Sequence, residues 1–139
     1  MWVCLNDAFF SIIEDDLDPG VLIVRARVKG HIEKVFPKVK VTILPERDYR
    51  FRCSVDRETV AQAMATEVRR IDYHNFKDSV VDEELHDAYM SIWSVMFRLQ
   101  AKLYGYKTAG KNWYKTYRDY GGKYSHQTVT LGHHKTKKV

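Results

Sequence analysis

The sequence predicts an α+β protein, with a mainly antiparallel sheet of about four strands in ββαββα order. A long C-terminal helix packs on the sheet, and a basic, aromatic-rich tail follows. The first half of the chain alternates apolar and polar residues, two later stretches repeat apolar residues every three or four positions, and periodicity is lost after Gly105. We therefore predict an α+β body over residues 1–104 and a C-terminal extension over residues 105–139.

Length and composition indicate one globular body. A chain of 139 residues, 45% hydrophobic and 29% charged, is long enough for one core without a metal or disulfide. The two cysteines, Cys4 and Cys53, lie in apolar, strand-like surroundings typical of free thiols in a reducing compartment. The N-terminus has neither a basic leader nor a long apolar run. We expect a cytoplasmic protein with no membrane partner.

The first two predicted strands form a hairpin. Residues 2–13 are interpreted as one strand kinked at Asn6 and Asp7, a pair that favours a turn or bulge. Residues 15–20 are rich in turn formers, and residues 21–28 then alternate apolar and basic side chains. The two runs are expected to pair antiparallel.

A short helix and a second hairpin are predicted next. Residues 30–36 place apolar side chains on one side and indicate a two-turn helix that ends at Pro37, because proline does not continue a helix. Residues 38–44 and 49–55 alternate at period two on either side of a turn, which predicts a second antiparallel hairpin.

Two further helices complete the body. Asp56 is suited to cap the first, whose apolar residues are Val60, Met64, Val68 and Ile71. Ser79 or Asp82 is suited to cap the second, and Gly105 to end it. Its apolar residues step by four and three and are expected to pack on the sheet: Leu85, Tyr89, Ile92, Met96, Leu99 and Leu103.

Charge is divided unevenly along the chain. Residues 98–139 hold ten Lys or Arg and one acid, Asp119, whereas residues 1–97 hold 13 bases and 17 acids. A mixture of bases and aromatic residues is typical of proteins that neutralise phosphates and stack on bases. The candidate binding residues are Lys107, Lys111, Trp113, Tyr114, Lys115, Tyr117, Arg118, Tyr120 and Lys123.

Two other interpretations of this segment stay open. The same aromatic and arginine residues would serve as interface anchors for an acidic protein partner. Alternatively, the tyrosines pack back on the body, or on a sister subunit in a homo-oligomer, while the lysines keep the surface soluble.

A second basic surface is predicted on the sheet, from alternating residues in three strands: Arg25, Arg27, Lys38, Lys40, Arg50 and Arg52. A sheet that reads RNA needs aromatic side chains on the same face, and Phe51 has the wrong parity to share it with Arg50 and Arg52. The favoured interpretation is the solvated face that an antiparallel sheet normally shows.

The sequence contains few motifs that would indicate a catalytic or metal site. Glu83 and His86 form a single Glu-x-x-His step, and the di-metal proteins that use this motif need it twice. Either cysteine next to His31, His74 or His86 would need a polar, cationic setting to become a nucleophile. We predict no catalytic residue, no metal and no cofactor, and keep a small hydrolase or nuclease using Asp7, His31 or His74 as a minor alternative.

Residues 3–11, 71–79, 86–89 and 93–96 resemble an uncharacterised family of small bacterial and phage proteins. The resemblance covers about residues 1–98 and implies no known activity. It also implies that the basic segment is an addition in this chain.

The sequence predicts a small non-catalytic binding protein of phage or prophage type, acting in the host cytoplasm. It would engage nucleic acid, or a complex that handles nucleic acid, through its basic C-terminal segment. The alternative is an inhibitor or adaptor of a host protein, such as an anti-CRISPR protein.

Overall fold

The computed structural model describes residues 1–104, which form a five-stranded sheet and two α-helices. The strands are β1 (Trp2–Cys4), β2 (Phe9–Glu14), β3 (Val21–Ala26), β4 (Thr42–Ile43) and β5 (Phe51–Asp56). The helices are α1 (Arg57–Arg69) and α2 (Glu83–Tyr104), with one turn of 3-10 helix at Lys77–Ser79 between them. The predicted α+β class is confirmed.

The sheet is antiparallel throughout, in the order β1-β2-β3-β5-β4. Strands β1 to β3 form a meander, and the chain then crosses to the edge strand β4 before β5 inserts beside β3. Both predicted hairpins are present, as the β2–β3 and β4–β5 pairs. The centre of the sheet is the β3–β5 pair, in which Val24 lies opposite Cys53.

The predicted ββαββα order is wrong at two places. Residues 2–13 form two strands and not one kinked strand, because the Leu5 amide donates to the Ala8 carbonyl at 2.8 Å and closes a tight turn. Residues 30–36 form consecutive turns and not a helix. This stretch is too short to propagate a helix between Gly30, which has a φ of 89°, and Pro37.

The core lies on one face of the sheet, because alternate residues of each strand point to the same side. The buried strand residues on that face are Phe10, Ile12, Val24, Ala26, Phe51, Cys53 and Val55. Val60 of α1 covers them, together with Ile32 and Phe36 from the turns that precede β4. The first helix and these turns therefore cover the core side of the sheet.

Asp56 caps α1 as predicted, and Asp82, one of the two residues predicted for α2, caps that helix. The Asp56 carboxylate accepts a hydrogen bond from the Thr59 amide at 2.8 Å at the start of α1. The Asp82 carboxylate accepts one from the Leu85 amide at 2.9 Å at the start of α2. Each carboxylate satisfies an amide that has no partner within its own helix.

The long helix does not pack along its apolar residues as predicted. Tyr89 is its buried residue, while Ile92, Met96, Leu99 and Leu103 are between 38% and 61% exposed. The core face of the sheet is covered by α1 and the turns before β4. The start of α2 instead packs on the opposite face, where the Tyr89 ring contacts that of Phe9. Neither helix within residues 1–104 is long and apolar enough to cross a membrane.

Candidate functional site

The face of the sheet opposite the core carries opposed arginines. Alternation in β3 and β5 directs Arg25 and Arg52 away from the core, and the strand register places them directly opposite one another. Like charges in opposed positions destabilise a sheet pair. This arrangement therefore needs compensating contacts, a bound anion, or both.

Two more arginines continue the pattern at the ends of the strands. Arg27 follows the last residue of β3 and Arg50 precedes the first residue of β5, and both are exposed. With Arg25 and Arg52 they concentrate four positive charges at one end of the β3–β5 pair. We call this surface the arginine face, defined by Arg25, Arg27, Arg50 and Arg52.

Tyr49 lies at the centre of this surface. The guanidinium carbon of Arg25 lies 4.5 Å from the Tyr49 ring centroid, and that of Arg27 lies 4.2 Å from it. The ring is only 3% exposed. Cation–π contacts of this length stabilise a guanidinium group and hold it in a fixed position. The Arg52 side chain joins the group by donating from Nε to the Tyr49 carbonyl at 3.0 Å.

Asp48 supplies the negative charge that these arginines contact. Its carboxylate lies 3.4 Å from Nη2 of Arg52 and 3.8 Å from Nη2 of Arg27, and it also accepts from the Tyr49 amide at 2.8 Å. The Asp48 carbonyl accepts a further bond from Arg27 at 3.0 Å. One carboxylate leaves the arginine face with a net positive charge.

Ser11 fixes the deepest arginine from the neighbouring strand. Its hydroxyl oxygen accepts a hydrogen bond from Nε of Arg25 at 3.3 Å, and the serine is 1% exposed. Arg25 is thus held on one side by Ser11 of β2 and on the other by Tyr49. A guanidinium restrained in this way loses little further freedom when an anion binds.

The other half of the same face is aromatic. It carries a row of rings in which successive centroids are 5.9, 6.4, 5.3 and 6.0 Å apart, formed by Trp2, Phe9, Tyr89, Phe76 and Tyr73. The row runs from β1 and β2 to α2 and the connector before it. This face therefore combines an aromatic half, packed against the start of α2, with an arginine half.

Of the two basic surfaces predicted from the sequence, only the one on the sheet lies within the described residues. Lys107, Lys111, Trp113, Tyr114, Lys115, Tyr117, Arg118, Tyr120 and Lys123 lie outside the described residues, so their binding role stays a prediction. The basic sheet face is present on β3 and β5, and the inward parity of Phe51 is confirmed. Lys38 and Lys40 lie in the connection before β4, outside the β3–β5 register. The sequence placed Tyr49 near this surface but assigned it to neither face, because it precedes β5, where period-two alternation does not apply.

Two of the candidate nucleophiles and bases, Cys53 and His31, contribute to the packing of the body. Burial raises the pKa of the Cys53 thiol to about 11, and the negative charge of Glu33 adds to the shift. Nδ1 of His31 accepts a hydrogen bond from the Phe9 amide at 3.1 Å, which links the turns before β4 to β2. Within residues 1–104, His, Cys, Asp and Glu side chains form no group of three that could hold a metal ion.

Comparison with known proteins finds no matching protein-family model, no matching curated protein and no matching solved structure. The arginine face and the basic, aromatic-rich sequence of residues 105–139 are therefore the features that indicate a function.

Proposed function

We propose that this protein is a small non-catalytic nucleic-acid-binding protein that contacts phosphates through the arginine face and through its basic C-terminal segment. The observation that supports the proposal most strongly is the opposed pair Arg25 and Arg52, held around Tyr49 in a sheet that would otherwise disfavour it.

Phosphate suits this surface for geometric reasons. A guanidinium group donates two parallel hydrogen bonds to phosphate oxygens, and such charge-assisted bonds are roughly twice as strong as neutral ones. Ser11 and the Tyr49 carbonyl hold Arg25 and Arg52 in position. Arg27 is held by Asp48 and the Tyr49 ring but is also exposed, as is Arg50, so a phosphate can reach both.

The arginine face favours binding without sequence preference. Contacts to phosphates position a nucleic acid but do not read its bases. Tyr49 is buried and cannot serve as a platform for an unstacked base. In the proposed complex, stacking falls to the aromatic residues of the C-terminal segment, such as Trp113 and Tyr117, which fits single-stranded nucleic acid.

An acidic host protein is the alternative ligand for the same surface. Carboxylates accept bidentate bonds from arginine as phosphates do, so an inhibitor or adaptor role would use the same residues. Nucleic acid is favoured because a basic segment rich in aromatic residues follows the body. No contact in residues 1–104 favours the hydrolase alternative, since Asp7 pairs with Lys34 and His31 binds the Phe9 amide.

The test is the affinity of the full chain for a labelled single-stranded oligonucleotide, measured by fluorescence anisotropy over a range of salt concentrations. The double variant R27Q/R50Q removes two exposed arginines of the arginine face, and we expect binding about tenfold weaker or more, with a salt slope shallower by about one to two. The matched control, R69Q/R70Q, removes the same charge from the end of α1. Equal affinities for the two double variants would refute the role of the arginine face.

The C-terminal segment is tested separately. W113A/Y117A keeps every charge, so we expect weaker binding with an unchanged salt slope, because stacking and not phosphate contact is lost. A wild-type protein that binds no oligonucleotide, yet retains a host protein after nuclease treatment, would support the inhibitor alternative instead.

A further inference from the structure

One row of side chains crosses all five strands on the face that carries the arginines. Trp2 of β1 lies opposite Ser11 of β2, and Ser11 lies opposite Arg25 of β3. Arg25 lies opposite Arg52 of β5, which in turn lies opposite Thr42 of β4. Residues directly opposite one another in an antiparallel sheet project to the same face. Trp2 therefore belongs to the same surface as the two central arginines. We call these five residues the cross-strand row.

The Trp2 ring is open to solvent and is oriented by one neighbour. Trp2 is 66% exposed, and its ring centroid lies 5.9 Å from that of Phe9 at an interplanar angle of 71°. An edge-to-face contact of this kind orients the indole without covering both of its faces. An exposed aromatic ring with a restrained orientation is suited to stack against a planar group.

The distance from Trp2 to Arg25 suits a nucleotide chain. The two residues are separated by two strand spacings, which is about 10 Å. The hydrogen bond from Nε of Arg25 to the Ser11 hydroxyl keeps the guanidinium group on the side that faces β2 and β1. In a nucleotide the sugar separates the base from the phosphate. A base on Trp2 and a phosphate at Arg25 can therefore belong to the same nucleotide or to adjacent ones.

Single-stranded nucleic acid is the ligand that uses both the indole and the arginines. Proteins that bind single strands combine basic side chains along the backbone with aromatic rings for the bases. A base inside a duplex has both faces covered by its neighbours and offers no face to Trp2. Carboxylates alone would satisfy the arginines and leave the indole without a planar partner.

We propose that Trp2 is a base-stacking residue, and that a single strand crosses the sheet along the cross-strand row with a base on Trp2 and phosphates at Arg25 and Arg52. This role of Trp2 rests on the proposed function, and it adds a stacking position within the body to those expected in the C-terminal segment. Stacking on an aromatic ring tolerates any base, so it agrees with binding that has no sequence preference.

Binding of the full chain to two labelled ligands tests the role of Trp2. One ligand is a thymidine oligonucleotide of about 12 nucleotides, and the other is an abasic chain of the same length, which keeps the phosphates and lacks the bases. Fluorescence anisotropy at one salt concentration gives a dissociation constant for each. The ratio of the abasic constant to the thymidine constant isolates the contribution of the bases, because a general loss of affinity cancels from it.

Substitutions of Trp2 should change this ratio selectively. Trp2→Leu keeps an apolar side chain but removes the aromatic face, and we expect the ratio to fall about fivefold or more. Trp2→Phe keeps an aromatic ring beside Phe9 and should retain most of the ratio. Leu17→Ala is the matched control, because Leu17 is 94% exposed in the β2–β3 turn and lies outside the cross-strand row. An unchanged ratio in Trp2→Leu would overturn the proposal.

Fluorine NMR tests the same contact in a protein that retains Trp2. The chain contains three tryptophans, which are labelled together with 5-fluorotryptophan. The Trp2 resonance is the one that is missing from the spectrum of Trp2→Phe. We expect the thymidine oligonucleotide to shift this resonance at saturation and the abasic chain to shift it much less. A Trp2 resonance that neither ligand shifts, or that both shift equally, would overturn the proposal.

The outcomes also separate Trp2 from the rest of the proposed interface. If Trp2→Leu binds both ligands as the wild type does while R27Q/R50Q still weakens binding, the arginine face binds phosphates and Trp2 takes no part. If the wild type binds neither ligand, the proposed function is wrong and the role of Trp2 is overturned with it.

Discussion

The hydroxyl of Tyr89 donates a buried hydrogen bond of 2.9 Å to the carbonyl of Ala8, from which it is separated by 81 positions in the chain. The Leu5 carbonyl lies at the same distance from that hydroxyl, and the Leu5 amide closes the β1–β2 turn onto Ala8. The start of α2 is thus anchored to this turn. Burial, reinforced by the negative charges of Cys4 and Asp7, raises the pKa of Tyr89 well above its ordinary value, so the hydroxyl stays a donor.

Tyr89→Phe should lower the free energy of unfolding by about 1–2 kcal/mol, because the buried hydrogen bond from the hydroxyl is lost while the ring is kept. Urea denaturation of the variant and the wild type measures the difference. Tyr73→Phe is the control, since Tyr73 lies at the far end of the same aromatic row. Equal effects of the two substitutions would contradict the importance assigned to the Tyr89 hydroxyl.

Asp48→Asn should strengthen nucleic-acid binding about threefold to tenfold and steepen its salt dependence, because it removes the carboxylate that Arg27 and Arg52 contact. The asparagine oxygen still accepts from the Tyr49 amide, so the turn is retained. Asp16→Asn makes the same charge change in the exposed β2–β3 turn and should have a smaller effect. Anisotropy titrations of both variants at several salt concentrations measure the two affinities. Weaker binding by Asp48→Asn than by the wild type would contradict the prediction.

Asp56→Ala should lower the melting temperature at pH 7, with the difference from wild type shrinking below about pH 4. The hydrogen bond from Thr59 lowers the pKa of Asp56 in the folded protein. Its stabilising effect is therefore present above the unfolded-state pKa and is lost as the pH falls through the folded-state pKa. Thermal melts of the wild type and Asp56→Ala from pH 7 to pH 2.5 measure how the difference in melting temperature changes with pH.

Asp56→Asn is the control for this cap, because its amide oxygen caps the helix without titrating at acid pH. Its difference from Asp56→Ala should be nearly constant with pH. If the wild type retained its full advantage over Asp56→Ala at pH 2.5, ionisation of the cap would not be the cause.

A thiol reagent at pH 8 should label one cysteine in the folded protein and two after unfolding. Cys4 is exposed, whereas Cys53 is buried in the core with a pKa of about 11 and so forms little thiolate. Mass spectrometry of the labelled protein, with Cys4→Ser as the control, reports the count. Rapid labelling of folded Cys4→Ser would contradict the packing of Cys53.

Local signals in the sequence were sufficient where neighbouring residues decide the structure. The capping residues Asp56 and Asp82 act on amides three positions away; Asp56 was identified, and Asp82 was one of the two candidates for its helix. Alternation from Phe51 to Val55 correctly separated the core side of β5 from its basic side. The prediction of a helix at residues 30–36 was wrong, because the same apolar spacing also suits consecutive turns that place side chains in the core. Only the packing of the surrounding strands distinguishes a helix from such turns.

The sequence predicted which side of the sheet carries the candidate site but not which of its residues are neighbours, because strand pairing is not visible in the sequence. Basic alternation showed that Arg25 and Arg52 share a side of the sheet, but the pairing of β3 with β5 makes them direct neighbours. Tyr49 enters the arginine face from a turn, where no period assigns a side chain to a face. Its ring contacts the guanidinium groups of Arg25 and Arg27, more than twenty residues earlier in the chain.

By itself the sequence determined the α+β class, the helix starts, the polarity of the sheet faces and the uneven charge, since each depends on composition or on residues a few positions apart. Only the tertiary structure decided the order of the strands, the contacts within the arginine face and which residues of α2 are buried. The apolar spacing of α2 predicts a buried helix but cannot specify what buries it. Tyr89 is the buried residue of α2, whereas Ile92, Met96, Leu99 and Leu103 stay between 38% and 61% exposed, a distinction that equal apolar spacing cannot make.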